Sequence, residues 1–108
     1  MAEGDRTVAK GYWIARVDVS NPEAYQRYAA ANAAAFSKYG ARFVVRGGRF
    51  EAPEGTARSR NVVLEFDSYD KALACYHSPE YAAAKALREG HAVADLVIIE
   101  GYDGPQPG

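Results

Sequence analysis

Residues 10–40 read KGYWIARVDVSNPEAYQRYAAANAAAFSKYG. Lys10 to Val19 is rich in aromatic and β-branched types and alternates toward its end, which predicts a strand. Tyr12, Ile14, Arg16 and Asp18 then share one face, and Trp13, Ala15, Val17 and Val19 the other. Ser20-Asn21-Pro22-Glu23 ends the strand and starts a helix. The Asn21 side chain can accept from free backbone N–H groups, Pro22 suits the first helical position, and Glu23 suits the positive end of the dipole. Gly40 is a left-handed terminator, so the helix is predicted to end at Tyr39. Tyr25, Tyr28, Ala29, Asn32, Phe36 and Tyr39 recur at helical spacing as its buried stripe. Asn32 is the odd, polar member.

Working outward, residues 41–52 and 57–67 read as a long hairpin turning at Pro53-Glu54-Gly55-Thr56. Gly47-Gly48 marks a bend or bulge in the first arm. In the return arm Val62, Leu64 and Phe66 share a face, and Val63 and Glu65 share the other. Ser68 caps a helix beginning near Tyr69, which is interrupted at His77-Ser78-Pro79 and resumes as far as Gly90. Residues 94–102, ADLVIIEGY, form a last apolar strand. The order is β-α-β-β-α-β. Right-handed crossovers turn it into an α+β, ferredoxin-like domain: a four-stranded antiparallel sheet with both helices on one face. Trp13, Ala15, Val17, Phe43, Val45, Val62, Leu64, Phe66, Val97 and Ile99 are assigned to the helix side. Tyr12, Ile14, Arg16, Val44, Arg46, Val63, Glu65, Leu96, Ile98 and Glu100 fall on the bare face. One domain is expected over 1–108, ordered from about residue 9 to 103, with frayed ends at 1–8 and 104–108.

The composition says what such a fold would lack. Hydrophobic residues make up 48% of the chain, but 21 are alanine and 8 tyrosine, while Val, Ile, Leu and Phe together number only 20 of 108. So lean a core looks for further burial, and the bare face is too apolar for water and too charged for a simple core. A second copy's equivalent face would cover it, so a homodimer is expected. A net charge of −1, with 13 basic and 14 acidic residues, argues against a nucleic-acid platform. No run approaches the ~18 apolar residues of a membrane span. Met1 to Val8 lacks the apolar stretch of a signal peptide, and Cys75 is the only cysteine, which points to a reducing cytoplasm. No metal or cofactor is expected. His77 and His91 form no helical ligand pair, RGGR lacks the spacing of a dinucleotide loop, and no serine sits in a nucleophile elbow.

The segments KGYWIARVDVSNPEAYQRY, RFVVRGGRFE, VVLEFDSYDKALACYHSPEYAAAKALR and DLVIIEGYDG together resemble the Domain of Unknown Function 1330 family. That family belongs to the dimeric α/β-barrel superfamily. The resemblance implies a homodimer whose two sheets pack face to face around a cavity. It implies no reaction, since superfamily relatives include cofactor-free monooxygenases, lactone isomerases, haem-degrading enzymes and binding-only members.

Candidate site residues come from the bare face and the helix break. Arg16 and Glu65 are expected to face each other across the two central strands, with Arg46 flanking Glu65 and Tyr12 beside them. Tyr12, Arg16 and Arg46 are the candidate substrate-binding groups, able to hold an oxyanion, and Glu65 or His77 is the candidate proton carrier. A structural ion-pair network and a helix-end histidine are the plainer readings of the same residues. Cys75 reads as a small buried hydrophobe and His91 as solvated. Arg42, Arg46, Arg49, Arg58 and Arg60 read as a charged edge hairpin that discourages aggregation. The functional expectation is a dimer that binds, and as an enzyme would transform, a small anionic or aromatic organic molecule between its sheets. The alternative is a non-catalytic metabolite-binding or structural dimer, and the residues alone leave open whether turnover occurs.

Overall fold

The protein is described by a computed structural model over residues 8–108, so the expected frayed start lies outside the described residues apart from Val8. Its elements run β1 Gly11–Val19, α1 Pro22–Tyr39, β2 Arg42–Arg46, β3 Arg60–Phe66, α2 Tyr69–Tyr76, α3 Pro79–Ala86 and β4 Ala92–Glu100. The four strands form one antiparallel sheet in the order β2-β3-β1-β4. The class is α+β, with three helices because the predicted interruption splits the second one.

The punctuation acts as its chemistry dictates. Asn21 accepts from the Ala24 N–H at 3.2 Å with Pro22 opening α1, and Gly40 ends it in the left-handed region at φ 70°. Ser68 accepts from the Lys71 N–H at the start of α2. Ser78 accepts from the Tyr81 N–H at 3.1 Å and donates to the Cys75 carbonyl at 2.7 Å, so one hydroxyl joins α2 to α3.

The core is small and aromatic. Trp13 is surrounded by Tyr81, Phe36, Phe66 and Tyr76 with ring centroids 4.9–5.8 Å away, and its indole N–H donates to the Ala72 carbonyl at 2.9 Å. The alanines let this cage close. Ala24, Ala35, Ala72 and Ala84 are all fully buried or nearly so, where a larger side chain would hold the helices off the sheet.

Four expectations need correction. The hairpin is shorter than predicted: β2 stops at Arg46, where Gly47 turns at φ 68°, and residues 47–59 form no strand. The resumed helix ends at Ala86, and a run of turns follows it over residues 87–91. In β4 the faces are reversed. Trp13 pairs with Ile98 and Ala15 with Leu96, which puts Leu96 and Ile98 against the core and turns Val97 and Ile99 outward. In β2 the register shifts between Phe43 and Val45. Phe43 opposes Leu64 on the helix side, Val45 opposes Val63 on the open side, and Arg46 opposes Val62 on the helix side again. A bulge at Val44 therefore carries Arg46 to the opposite face from the one simple alternation assigns it. The open face keeps Ile14, Val45, Val93, Val97 and Ile99, each more than two-fifths exposed.

Candidate functional site

The expected cluster on the open face is rearranged. Tyr12 lies opposite Glu65, but Arg16 lies opposite Asn61, four residues further along β1. Arg16 and Glu65 thus do not face each other. Arg16 is exposed and lines a shallow groove with Asp18, Arg58 and Asp95, where Arg58 bonds both carboxylates at 2.8 Å. The place expected for Arg46 is taken by Arg42, the register partner of Glu65. Tyr12 donates to one Glu65 oxygen at 2.8 Å, and Arg42 donates to the other at 3.0 and 3.1 Å while also reaching Asp67 at 3.2 Å. These bonds, from Tyr12 first and then Arg42, hold the Glu65 carboxyl below the usual carboxylate range. The same bond, which leaves its acceptor charged, pushes the Tyr12 phenol up.

His77 caps the C-terminal end of α2, is exposed, and meets the edge of the Tyr76 ring at 5.3 Å. It joins neither the Glu65 cluster nor the cavity beneath α1. Cys75 is fully buried, and burial pushes its thiol up to about 12. Among the described residues no group of three potential metal ligands comes together, and no helix is long and apolar enough to cross a membrane.

A different set of groups converges beneath α1. Between that helix and the sheet lies a cavity with about 50 Å³ of space. That is room for about three waters or a carboxylate group, well short of the ~150 Å³ that holds a benzene ring. Its apolar wall is Trp13, Phe36, Phe43 and Leu64, and its polar groups are Tyr25, Tyr28, Asn32, Tyr81, Arg46, Arg60 and Arg88. Three guanidinium groups line it and no carboxylate, imidazole or thiol among the described residues does.

Among the described residues the arginines are held by rings rather than by acids. Arg46 lies 4.1 Å from the Phe43 ring centre at the exposed edge strand, Arg60 5.9 Å from Tyr25, and Arg88 5.3 Å from Tyr28. The Tyr25 and Tyr28 rings are themselves 5.3 Å apart, so the two tyrosines stand between Arg60 and Arg88. Arg60 packs its guanidinium against Gly47, where a Cβ would overlap it. Its Nε is buried with no hydrogen-bond partner among the described residues. Leaving such a donor unpaired is costly. At the inner end the Tyr28 and Tyr81 hydroxyls are 2.7 Å apart, and Arg88 Nη2 reaches Tyr81 at 3.5 Å. Burial, reinforced by Tyr81, pushes the Tyr28 phenol far above its ordinary value, so it stays neutral.

Of the expected binding residues, only Arg46 lines this cavity. Arg60 and Arg88 were missed, although the signal was present: Arg60 shares the parity of Val62, Leu64 and Phe66, and Arg88 follows Tyr81 by seven residues, two helical turns. Asn32, the odd member of the α1 stripe, is buried on this cavity.

Fold and cavity together define a small α+β protein with one open sheet face and an arginine-lined pocket under its first helix. The chain belongs to the family described as Domain of unknown function (DUF1330), whose model matches residues 10–102. Its backbone resembles a protein of unknown function from Rhodopseudomonas palustris, at 16% identity over 94% of this chain and 88% of that one, with a TM-score of 0.71. It also resembles SnoaB, a cofactor-independent oxygenase from Streptomyces nogalater, at 14% identity over 93% and 97% of the two chains, TM-score 0.59. A conserved protein of Bacteroides thetaiotaomicron, described as a possible oxidoreductase, matches at 16% identity over 85% and 97%, TM-score 0.56. At these identities the likeness is one of fold. No curated protein matches the chain.

Proposed function

We propose that this protein binds a small organic anion in the cavity beneath α1, with the anionic head inside and the body of the molecule at the mouth by Phe43 and Arg46. The carrying observation is the lining: three arginines and no acid among the described residues. A cation would meet only repulsion there, and a neutral molecule would leave the charges uncompensated. The expected chemistry of an anionic ligand is kept, and its site moves from between two sheets to within one subunit. Binding rather than turnover is proposed, because the cavity offers donors but no group that takes a proton near neutral pH. Glu65, held by Tyr12 and Arg42, and His77, exposed at the helix break, supply no such group to it.

The chain is further proposed to act as a homodimer of ferredoxin-like units, closed into an α/β barrel by the open sheet faces. Supporting this are the exposed Ile14, Val45, Val93, Val97 and Ile99 and the lean core noted above. Sedimentation at about 10 μM should give a dimer, and a compact monomer there overturns this part.

Calorimetric titration tests the site. Phenylacetate should bind and phenethylamine should not. Arg60→Met should weaken phenylacetate at least about tenfold, as loss of a charged hydrogen bond does. Arg49→Met, the same charge change in the exposed 47–59 segment, should leave affinity unchanged. Equal binding of acid and amine, or equal loss in both variants, overturns the reading.

A further inference from the structure

Phe43 and Arg46 stand three residues apart on β2, and in a regular strand that odd spacing puts two side chains on opposite faces. Here the register shift between Phe43 and Val45 adds one residue. Phe43 opposite Leu64 and Arg46 opposite Val62 therefore share the helix side. The guanidinium comes to lie over the Phe43 ring, its Cζ 4.1 Å from the ring centre. Among the described residues no carboxylate reaches Arg46 within salt-bridge distance. Of the described residues that line the cavity beneath α1, Phe43 and Arg46 alone are exposed, so the bulge builds its mouth.

That mouth offers a ligand a cation already seated on one ring. The space inside holds a carboxylate and little more, so the rest of the molecule meets Arg46 and Phe43. A saturated body would strip water from the guanidinium and return nothing to the charge. An aromatic face returns its quadrupole, and the cation then lies between two rings. We infer that the ligand is an aryl carboxylic acid, with its carboxylate in the cavity and its ring on Arg46, on the side away from Phe43. This rests on the anion-binding reading above and adds the ligand class. Arg46 is the specificity-determining contact.

Phenylacetate, cyclohexylacetate and pentafluorophenylacetate share one head and differ in the face of the ring, which is electron-rich, saturated and electron-poor in turn. The last two are the more apolar, so a mouth that only buries apolar area prefers them. A cation prefers phenylacetate, by about two- to fivefold at an exposed site. In calorimetric titration, wild-type protein should bind phenylacetate at least about twofold more tightly than either. Glutarate, which brings Arg46 a second carboxylate in place of a ring, should bind more weakly than phenylacetate. Arg46→Met should remove or reverse the preference for phenylacetate over the other two rings, whatever it does to the separate affinities. Arg60→Met should weaken all four acids and keep that preference. No wild-type preference for phenylacetate, tighter binding of glutarate, or a preference that Arg46→Met leaves unchanged overturns this inference and leaves anion binding standing. Failure of all four acids to bind wild-type protein overturns the anion-binding reading itself.

Discussion

The Tyr12 hydroxyl donates to Glu65 at 2.8 Å directly across the β1–β3 ladder, and Arg42 occupies the other carboxylate oxygen from the β2 side. One carboxylate thereby ties three strands together on the open face. Its lone pairs are engaged and its charge is compensated, which suits a structural clamp better than a base.

That clamp should be visible in acid. A carboxyl held below its ordinary value in the folded state stabilises the fold above that value, and the contribution is lost as pH falls through the lowered one. Glu65 is lowered from 4.5, chiefly by the Tyr12 and Arg42 bonds, so its contribution fades below about pH 4.5. The melting temperature of Glu65→Gln should therefore fall less than that of wild type between about pH 6 and about pH 3.5. Parallel decline of the two proteins would show that Glu65 is not clamped.

How far the fold could be read ahead depends on which residues carry direction. Asn21, Gly40, Ser68 and Ser78 each have one structural use at their positions, and each takes it. The β4 run Leu96-Val97-Ile98-Ile99 is apolar in both parities, so period two gives it no inward side. Asp95, sharing parity with Val97 and Ile99, was the better guide to the outer face than Glu100 at the strand's end. In β2 the glycine pair announced irregularity, but the extra residue is Val44, one that nothing local distinguishes, and it carried Arg46 away from the expected cluster. The cavity was legible in Asn32 within an apolar stripe and, more faintly, in the parity that Arg60 shares with Val62 and the spacing of Arg88 from Tyr81. Its arginines come from β2, β3 and the turn after α3, and only the register brings them together.

At Gly11 β1 runs against the start of α2. A Cβ there would overlap the Ser68 carbonyl and the Tyr69 backbone, neither of which can swing aside. Gly11→Ala should cost about 1–3 kcal/mol, the usual penalty for overpacking. Gly48→Ala, with nothing within 4 Å and no positive φ, should be neutral or slightly stabilising. Denaturant unfolding compares them, and equal midpoints would refute the packing argument.

Cys75 should be inert while the protein is folded. It is fully buried, with its thiol pushed up to about 12 by burial, so almost no thiolate exists near pH 8. Iodoacetamide should label it only after denaturation, at a rate in native buffer set by unfolding. Rapid labelling of the native protein would mean that α2 and α3 open readily around Ser78.

Trp13 gives the binding site its own reporter. It is the chain's one tryptophan, 2% exposed, and part of the cavity wall. A carboxylate entering a space of about 50 Å³ that this indole walls changes the indole's surroundings, so emission should change saturably as phenylacetate is added. Arg60→Met should remove the change at the same concentrations. His77→Gln should preserve it, because His77 is exposed at the end of α2 and outside the cavity lining. The opposite pattern, in which His77→Gln loses the response and Arg60→Met keeps it, would return the site to the helix break. A response retained in both would place the ligand on the open sheet face, away from the arginines.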